Sequence, residues 1–173
     1  MTPVVAVTDE HVARSVALDP IKATMLGLPG HDDELTDYSP DAHADRMRVI
    51  ARTLDRLDRV ATRSNGDRVL ADLARERLQA RRAVDDAEHL RRLSIIGSPL
   101  QAVRTVFELM PRATEDDWAV LTARLRAVPD SIASMRTALD RGLAEGVVAA
   151  RRQAEACAIQ ARIYGGESDQ EDR

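Results

Sequence analysis

The sequence predicts an all-α protein, an array of about seven to eight antiparallel-packed helices with one long helical hairpin over residues 39–92. Three observations lead there. Apolar residues recur at steps of three and four through most of the chain, the spacing of one helix face. No stretch alternates apolar and polar residues long enough to compete as a strand. Aromatic residues make up only 2% of the 173 residues, namely Trp118, Tyr38, Tyr164 and Phe107. The core is therefore aliphatic and Ala-rich, as suits closely packed helices.

Residues 1–7 are expected to be flexible, with Thr8 capping a first helix whose apolar side is Val12, Ala13 and Val16. Asp19-Pro20 restarts the helix with a cap and a proline at the first helical position. Ile21, Met25 and Leu28 carry its apolar side, Lys22 points to water, and Gly27 suits a left-handed C-cap. An acidic loop follows from Pro29 to Tyr38. The stretch Leu18–Pro40 as a whole is neither amphipathic helix nor tail, and such a segment between helices either locks them together or lines a cavity.

Ser39-Pro40 opens the long hairpin. Met47, Ile50, Ala51, Leu54, Leu57 and Ala61 form one face, with Arg46, Arg48 and Arg52 among the solvated residues. Ser64-Asn65-Gly66 breaks the helix and Asp67 starts the second arm. Val69, Leu73, Ala80, Val84 and Ala87 lie along one side of that arm, with Leu70 and Leu78 widening the stripe. Ser98 and Pro99 open a helix with Leu100, Val103, Val106, Phe107 and Met110 inward, stopped by Pro111. Thr114 begins another, with acidic residues in its first turn and Trp118, Leu121, Leu125 and Val128 at helical spacing. Pro129 ends it. Asp130 or Ser131 starts the next, carrying Ile132, Met135, Leu139 and Leu143, with Gly142 and Gly146 loosening its end. A last helix from Val147 passes through Cys157 to Tyr164 and closes at Gly165-Gly166. The domain reading is thus a helical domain over 8–165 and a disordered acidic tail over 166–173.

Composition excludes several classes. A net charge of −4 without a clustered basic face speaks against nucleic-acid binding. No run approaches the ~18 apolar residues of a membrane span, and no secretory signal opens the chain. Cys157 is the single cysteine, which leaves no disulfide within the chain and suits a reducing cytoplasm. The expectation is a cytoplasmic protein without nucleic acid or membrane as partner.

Candidate chemistry is sparse. His31 with Asp32, Asp33 and Glu34, near Asp41, His43 and Asp45, is the best local cluster for a metal. Its plainer reading is a solvated acidic loop beside a helix start that favours acids. Asp85 and His89 stand one turn apart, which reads as an ordinary helix-surface pair. Glu88-His89 lacks the second histidine of HExxH, and no GxSxG, phosphate loop or CxxC is present. Ser39 and Ser98 precede prolines and read as caps. Cys157 sits among alanines as a small buried thiol. Within Arg151-Arg152, one arginine could recognise an anion if it faced a cavity. No residue is assigned as catalytic, cofactor-binding or metal-binding.

The segments LDPIKATMLGLPGHDDELTDYSP, IIGSPLQAVRTVFELMP, TEDDWAVLTARLRAVP and RGLAEGVVAARRQAEAC occur in one order. That order resembles the N-terminal part of the bacterial domain of unknown function family 885, over roughly Val5 to Gly165. The resemblance implies a mainly helical fold. Full-length members are several times longer and look like zinc-dependent metallopeptidases of the gluzincin type, with HExxH on a C-terminal helix. None of those ligands has a counterpart here, so zinc is expected only in the full-length family. The final ESDQEDR departs from the family, which suggests a truncated frame, a split protein or a gene remnant. The implied function is a non-catalytic helical N-terminal module. The alternative is a binding or assembly module that pairs with a separate C-terminal part or self-associates. In either case an apolar surface is expected on Leu100–Met110 and Ala154–Tyr164.

Overall fold

The structure, a computed structural model, describes residues 1–167. From residue 168 onward the expected acidic tail lies outside the described residues. Among the described residues the chain forms α1 (Pro3–Ala17), α2 (Pro20–Met25), α3 (Pro40–Arg59), α4 (Asn65–Glu88), α5 (Pro99–Thr105), α6 (Glu115–Arg126), α7 (Val128–Glu145) and α8 (Arg151–Tyr164). Short 3₁₀ turns follow α4 at His89–Arg91 and α5 at Val106–Leu109. The all-α expectation holds, and α3 and α4 are the arms of the expected hairpin.

The start of the chain corrects one expectation. The first helix begins at Pro3, capped by Thr2, whose Oγ1 accepts the Val5 N–H at 3.3 Å. Thr8 instead turns its hydroxyl back to the Val4 and Val5 carbonyls. Residues 3–7 form the first turns because Val4 and Val7 are buried against Leu57 of α3 and Ala71 of α4. Val60, Leu70, Ala74 and Leu78 complete this first apolar cluster.

The second cluster joins Ile21 of α2 to Val103 and Val106, with Leu35, Tyr38, Phe107, Val128 and Ile132 around them. Ser98 caps α5, and its backbone N–H bonds Gln101 Oε1 at 2.9 Å. Thr114 and Asp117 form the capping box of α6. The α2 helix ends as its glycine requires: Gly27 has φ +68°, its N–H bonds Thr24 O, and the Leu28 N–H reaches back to Ala23 O at 2.9 Å.

Four boundaries and faces differ from the sequence expectations. Ser64, not Asp67, caps α4, and Asp67 reaches back to accept the Arg63 N–H. Pro129 sits in the first turn of α7 rather than ending a helix, which is the place its fixed φ suits. The last helix starts at Arg151 rather than Val147. On α4 the buried side is Asp67, Ala71 and Asp85 with Leu70, Ala74 and Leu78, while Val69, Leu73 and Val84 face solvent.

Gly142 does not loosen α7. It lets the 3₁₀ turn after α4 approach the α7 backbone. A Cβ there would stand 2.4 Å from the Leu90 carbonyl oxygen and 2.6 Å from that of Val147. Both obstacles are backbone, so neither can yield by a rotamer change. Gly142→Ala should lower stability by about 2–3 kcal/mol in urea unfolding. Gly97→Ala, where the added carbon meets nothing within 4 Å, should be close to neutral in the same measurement.

Candidate functional site

The Leu18–Pro40 stretch is fastened from below by α6 and α7. Arg124, on α6, has 0% exposure. Its Nε donates to Glu34 O at 2.9 Å, and its Nη2 donates to His31 O at 2.7 Å and to Thr24 Oγ1 at 2.9 Å. Thr24 in turn donates to Asp32 Oδ1 at 3.0 Å. Burial lowers the Arg124 pKa, while the Asp32, Asp33 and Glu34 carboxylates favour its charge. From α7, Ser131 Oγ donates to Thr36 O at 2.8 Å and Ser134 Oγ accepts the Tyr38 N–H at 2.9 Å. An irregular loop has carbonyls and N–H groups that no helix satisfies, and these side chains satisfy several of them.

Between α1, α2, α3 and α4 lies a cavity of about 70 Å³ with several charged residues in its lining. The last turns of α1 bring His11 and Ser15, the start of α2 brings Asp19 and Lys22, α3 brings Arg46, and α4 brings Arg81 and Asp85. His11 Nδ1 lies 2.9 Å from Thr53 Oγ1, which already donates to Val49 O. The Thr53 proton is thereby used, so Nδ1–H is the donor, and the Ser15 hydroxyl, 3.2 Å from Nε2, can donate to it when the ring carries one proton. That tautomer is the neutral imidazole. Burial first, and then the Lys22 charge, lower the His11 pKa, in keeping with it. Arg46 donates to Asp37 O at 2.7 Å and reaches Leu18 O at 3.5 Å. Burial, then the Arg81 charge, lower the Lys22 pKa.

Beside this cavity His43 and His89 stack face to face, with ring centroids 3.8 Å apart and planes 2° from parallel. His89 Nδ1 lies 3.1 Å from Asp85 O, and His43 Nε2 lies 3.8 Å from Asp86 Oδ1. Burial, then the neighbouring His89 and Arg46, push the His43 pKa down to about 4. Asp85, only 6% exposed, pairs with Arg81 at 2.5 Å and Arg92 at 3.8 Å.

The structure distributes the sequence candidates unevenly. His31 pairs loosely with Glu34 at 3.4 Å in the acidic loop, and Asp45 pairs with Arg48. His43 leaves that cluster for the stack with His89. Among the described residues no three His, Cys, Asp or Glu side chains converge as metal ligands would. Asp85 and His89 are not a surface pair: one is buried in an ion network and the other stacked. Ser39 and Ser98 are caps. Cys157 is buried, and burial raises its thiol pKa. Arg151 lies exposed and pairs with Glu155 at 2.7 Å. Sequence reasoning missed three residues. Arg124 was not singled out, Arg46 read as a solvated arginine, and Lys22 read as pointing to water. The polar loop itself was the available signal for Arg124, since its unpaired carbonyls require buried donors.

A family model described as bacterial protein of unknown function (DUF885) matches residues 20–173. A search of curated proteins finds no match.

Arg124→Met keeps the side-chain length but strands the His31 and Glu34 carbonyls. It should cost about 3 kcal/mol in chemical denaturation, given ~1.5–3 kcal/mol for each hydrogen bond to a charged group and some relaxation. It should also make residues 28–38 the first site of limited proteolysis. A second outcome concerns pH. The folded His43 pKa of about 4 lies below its ordinary 6.5, so the unfolded chain binds the proton more readily. The His43 contribution to stability is therefore complete above pH 6.5 and lost as pH falls towards 4. His43→Gln should flatten the denaturation midpoint across that window.

Proposed function

The chain belongs to the DUF885 family of bacterial proteins, and we propose that it serves as a non-catalytic helical module of a metallopeptidase-like protein, docking further helical polypeptide on the outer face of α4. The observation that carries this is a second apolar row on that helix. Val69, Leu73, Ala80, Val84 and Ala87 fall within roughly 60° of its circumference and span about 27 Å. Val69, Leu73 and Val84 are 59%, 52% and 55% exposed. The inner face of the same helix is already occupied by α1 and α3. A helix apolar on two sides is one that is covered on two sides.

The three-and-four spacing of the row is that of a helix seam, and its small alanines allow close approach of a partner helix. The Glu76–Arg77 pair interrupts it, offering both charges to a partner at one turn. A smaller apolar area lies on α8, where Ile159, Ile163 and Tyr164 are exposed. The expected apolar surface on Leu100–Met110 is largely absent. Leu100, Val103, Val106 and Met110 are buried, and Leu109 is the exposed residue of that set. The likeness of full-length family members to zinc peptidases supports the family role, and the absence of HExxH from this chain supports a module that contributes no metal ligand.

Co-expression with a C-terminal family segment carrying HExxH tests the reading. The two should co-purify, and Leu73→Glu with Val84→Glu should abolish co-purification while moving the unfolding free energy by no more than ~0.5 kcal/mol, as exposed substitutions do. Association of the chain with itself through the same row would favour the assembly alternative. Zinc-dependent peptide hydrolysis by the chain alone would sink the non-catalytic reading.

A further inference from the structure

The cavity between α1, α2, α3 and α4 is independent of the outer α4 face, and its charges do not balance. Among its lining residues Lys22, Arg46 and Arg81 carry three positive charges, against two negative charges on Asp19 and Asp85, with His11 held neutral. Asp85 is further shared with Arg92. Asp19 is already engaged, since its Oδ1 accepts from the Thr36 hydroxyl at 2.6 Å and from the Lys22 backbone N–H at 3.3 Å. With Arg92 on one side and the Asp37 carboxylate near Arg46 on the other, four positive charges face three negative ones, an excess of one.

Its seat is Lys22, the only lysine of the chain. Among the described residues its ammonium makes no hydrogen bond or ion pair, and it is partly withdrawn from water into the cavity, with Arg81 and the Asp19 and Asp85 carboxylates as its charged neighbours. Removing an unpaired ammonium from water costs free energy that a bound anion would offset. The same residues line the cavity with donors to spare. The ammonium has three, and Arg46 and Arg81 each keep N–H groups beyond the one nitrogen they commit to the protein.

Size narrows the ligand. A cavity of about 70 Å³ exceeds the ~10–15 Å³ one water requires and falls well short of the ~300 Å³ of a drug-sized pocket. It accommodates a small anionic group and not a whole substrate. Charge narrows it further, because one uncompensated positive charge matches a monoanion, and a dianion would reverse the imbalance. We infer that this cavity is a binding site for a carboxylate group, held by the Lys22 ammonium and the free N–H groups of Arg46 and Arg81.

The single lysine provides the test. In the full chain labelled with carbon-13 at lysine, the Lys22 Hε–Cε signal stands alone. Sodium acetate added at constant ionic strength against chloride should move that signal saturably and raise the Lys22 pKa, since a bound carboxylate favours the ammonium. Inorganic phosphate, at mildly alkaline pH where it is a dianion, should bind at least tenfold more weakly. Arg46→Met should weaken acetate binding at least tenfold. Should that variant not fold, Arg81→Gln takes its place with the same expectation. A shift that grows without saturating, one that chloride reproduces, or tighter binding of phosphate than of acetate overturns the assignment. None of these outcomes depends on what covers α4, so failure here leaves the docking proposal standing.

Discussion

The fold depends on one buried guanidinium. The chain leaves helical structure between Met25 and Pro40, and its acidic loop runs back over helices that arrive much later in sequence. Backbone carbonyls at His31 and Glu34 would face protein without donors. Arg124 supplies them from α6, roughly ninety residues away in sequence, with Ser131 and Ser134 extending the same clamp from α7. Arginine suits this place better than lysine, because a planar fork bonds several acceptors in fixed directions. Its charge remains tolerable when buried because Asp32, Asp33 and Glu34 lie near it. The acids of the loop are thus explained as counter-charges to their own clamp. One of its atoms, Nη1, finds no hydrogen-bond partner among the described residues.

With the loop fastened, the helices sort into two small aliphatic clusters instead of one large core. Val4, Val7, Leu57 and Ala71 hold α1, α3 and α4 together, and Ile21, Val103 and Val106 tie α2 to the second half. The polar cavity and the His43–His89 stack adjoin both clusters. A chain with 2% aromatic residues has few large side chains with which to fill such a junction. Here it is filled with charge and imidazole, which forces pairing and hydrogen bonding on every group that is buried. Lys22 stands outside that pairing, and for that reason the junction reads as more than packing.

Much of the fold was legible in the sequence because helix ends are written locally. Asp19-Pro20, Ser39-Pro40, Ser98-Pro99 and Thr114 with Asp117 each cap the helix they announce. The first helix was misplaced because Thr8 looks like a cap and Thr2 lies at the chain start, where order depends on whether Val4 and Val7 find a partner. Which face each helix buries was less legible. On α6 the apolar residues Trp118 and Leu125 are exposed, and Arg124 between them is fully buried. Periodicity ranks side chains by their affinity for water. It contains nothing about a distant loop that needs a donor. The site was hidden for the same reason, since His11, Lys22, Arg46 and Arg81 come from four helices with no shared motif.

The α4 helix shows where local pattern and tertiary structure part. Its sequence holds two apolar rows, and a reading of spacing alone favours Val69, Leu73 and Val84, the larger side chains. The structure buries Ala71 instead, with Ala74 and Leu78 packed half-buried beside it. Small residues let α1 and α3 approach closely, and they come with Asp67 and Asp85, which must face the Arg63 backbone and the arginine network. Turning the helix to bury the other row would place both carboxylates in water and leave those donors unmatched. The polar residues therefore set the rotation of α4, and its larger aliphatic side chains are left on the outside. An exposed row on a helix whose rotation is fixed by other interactions is available to a partner without any rearrangement of the fold that presents it.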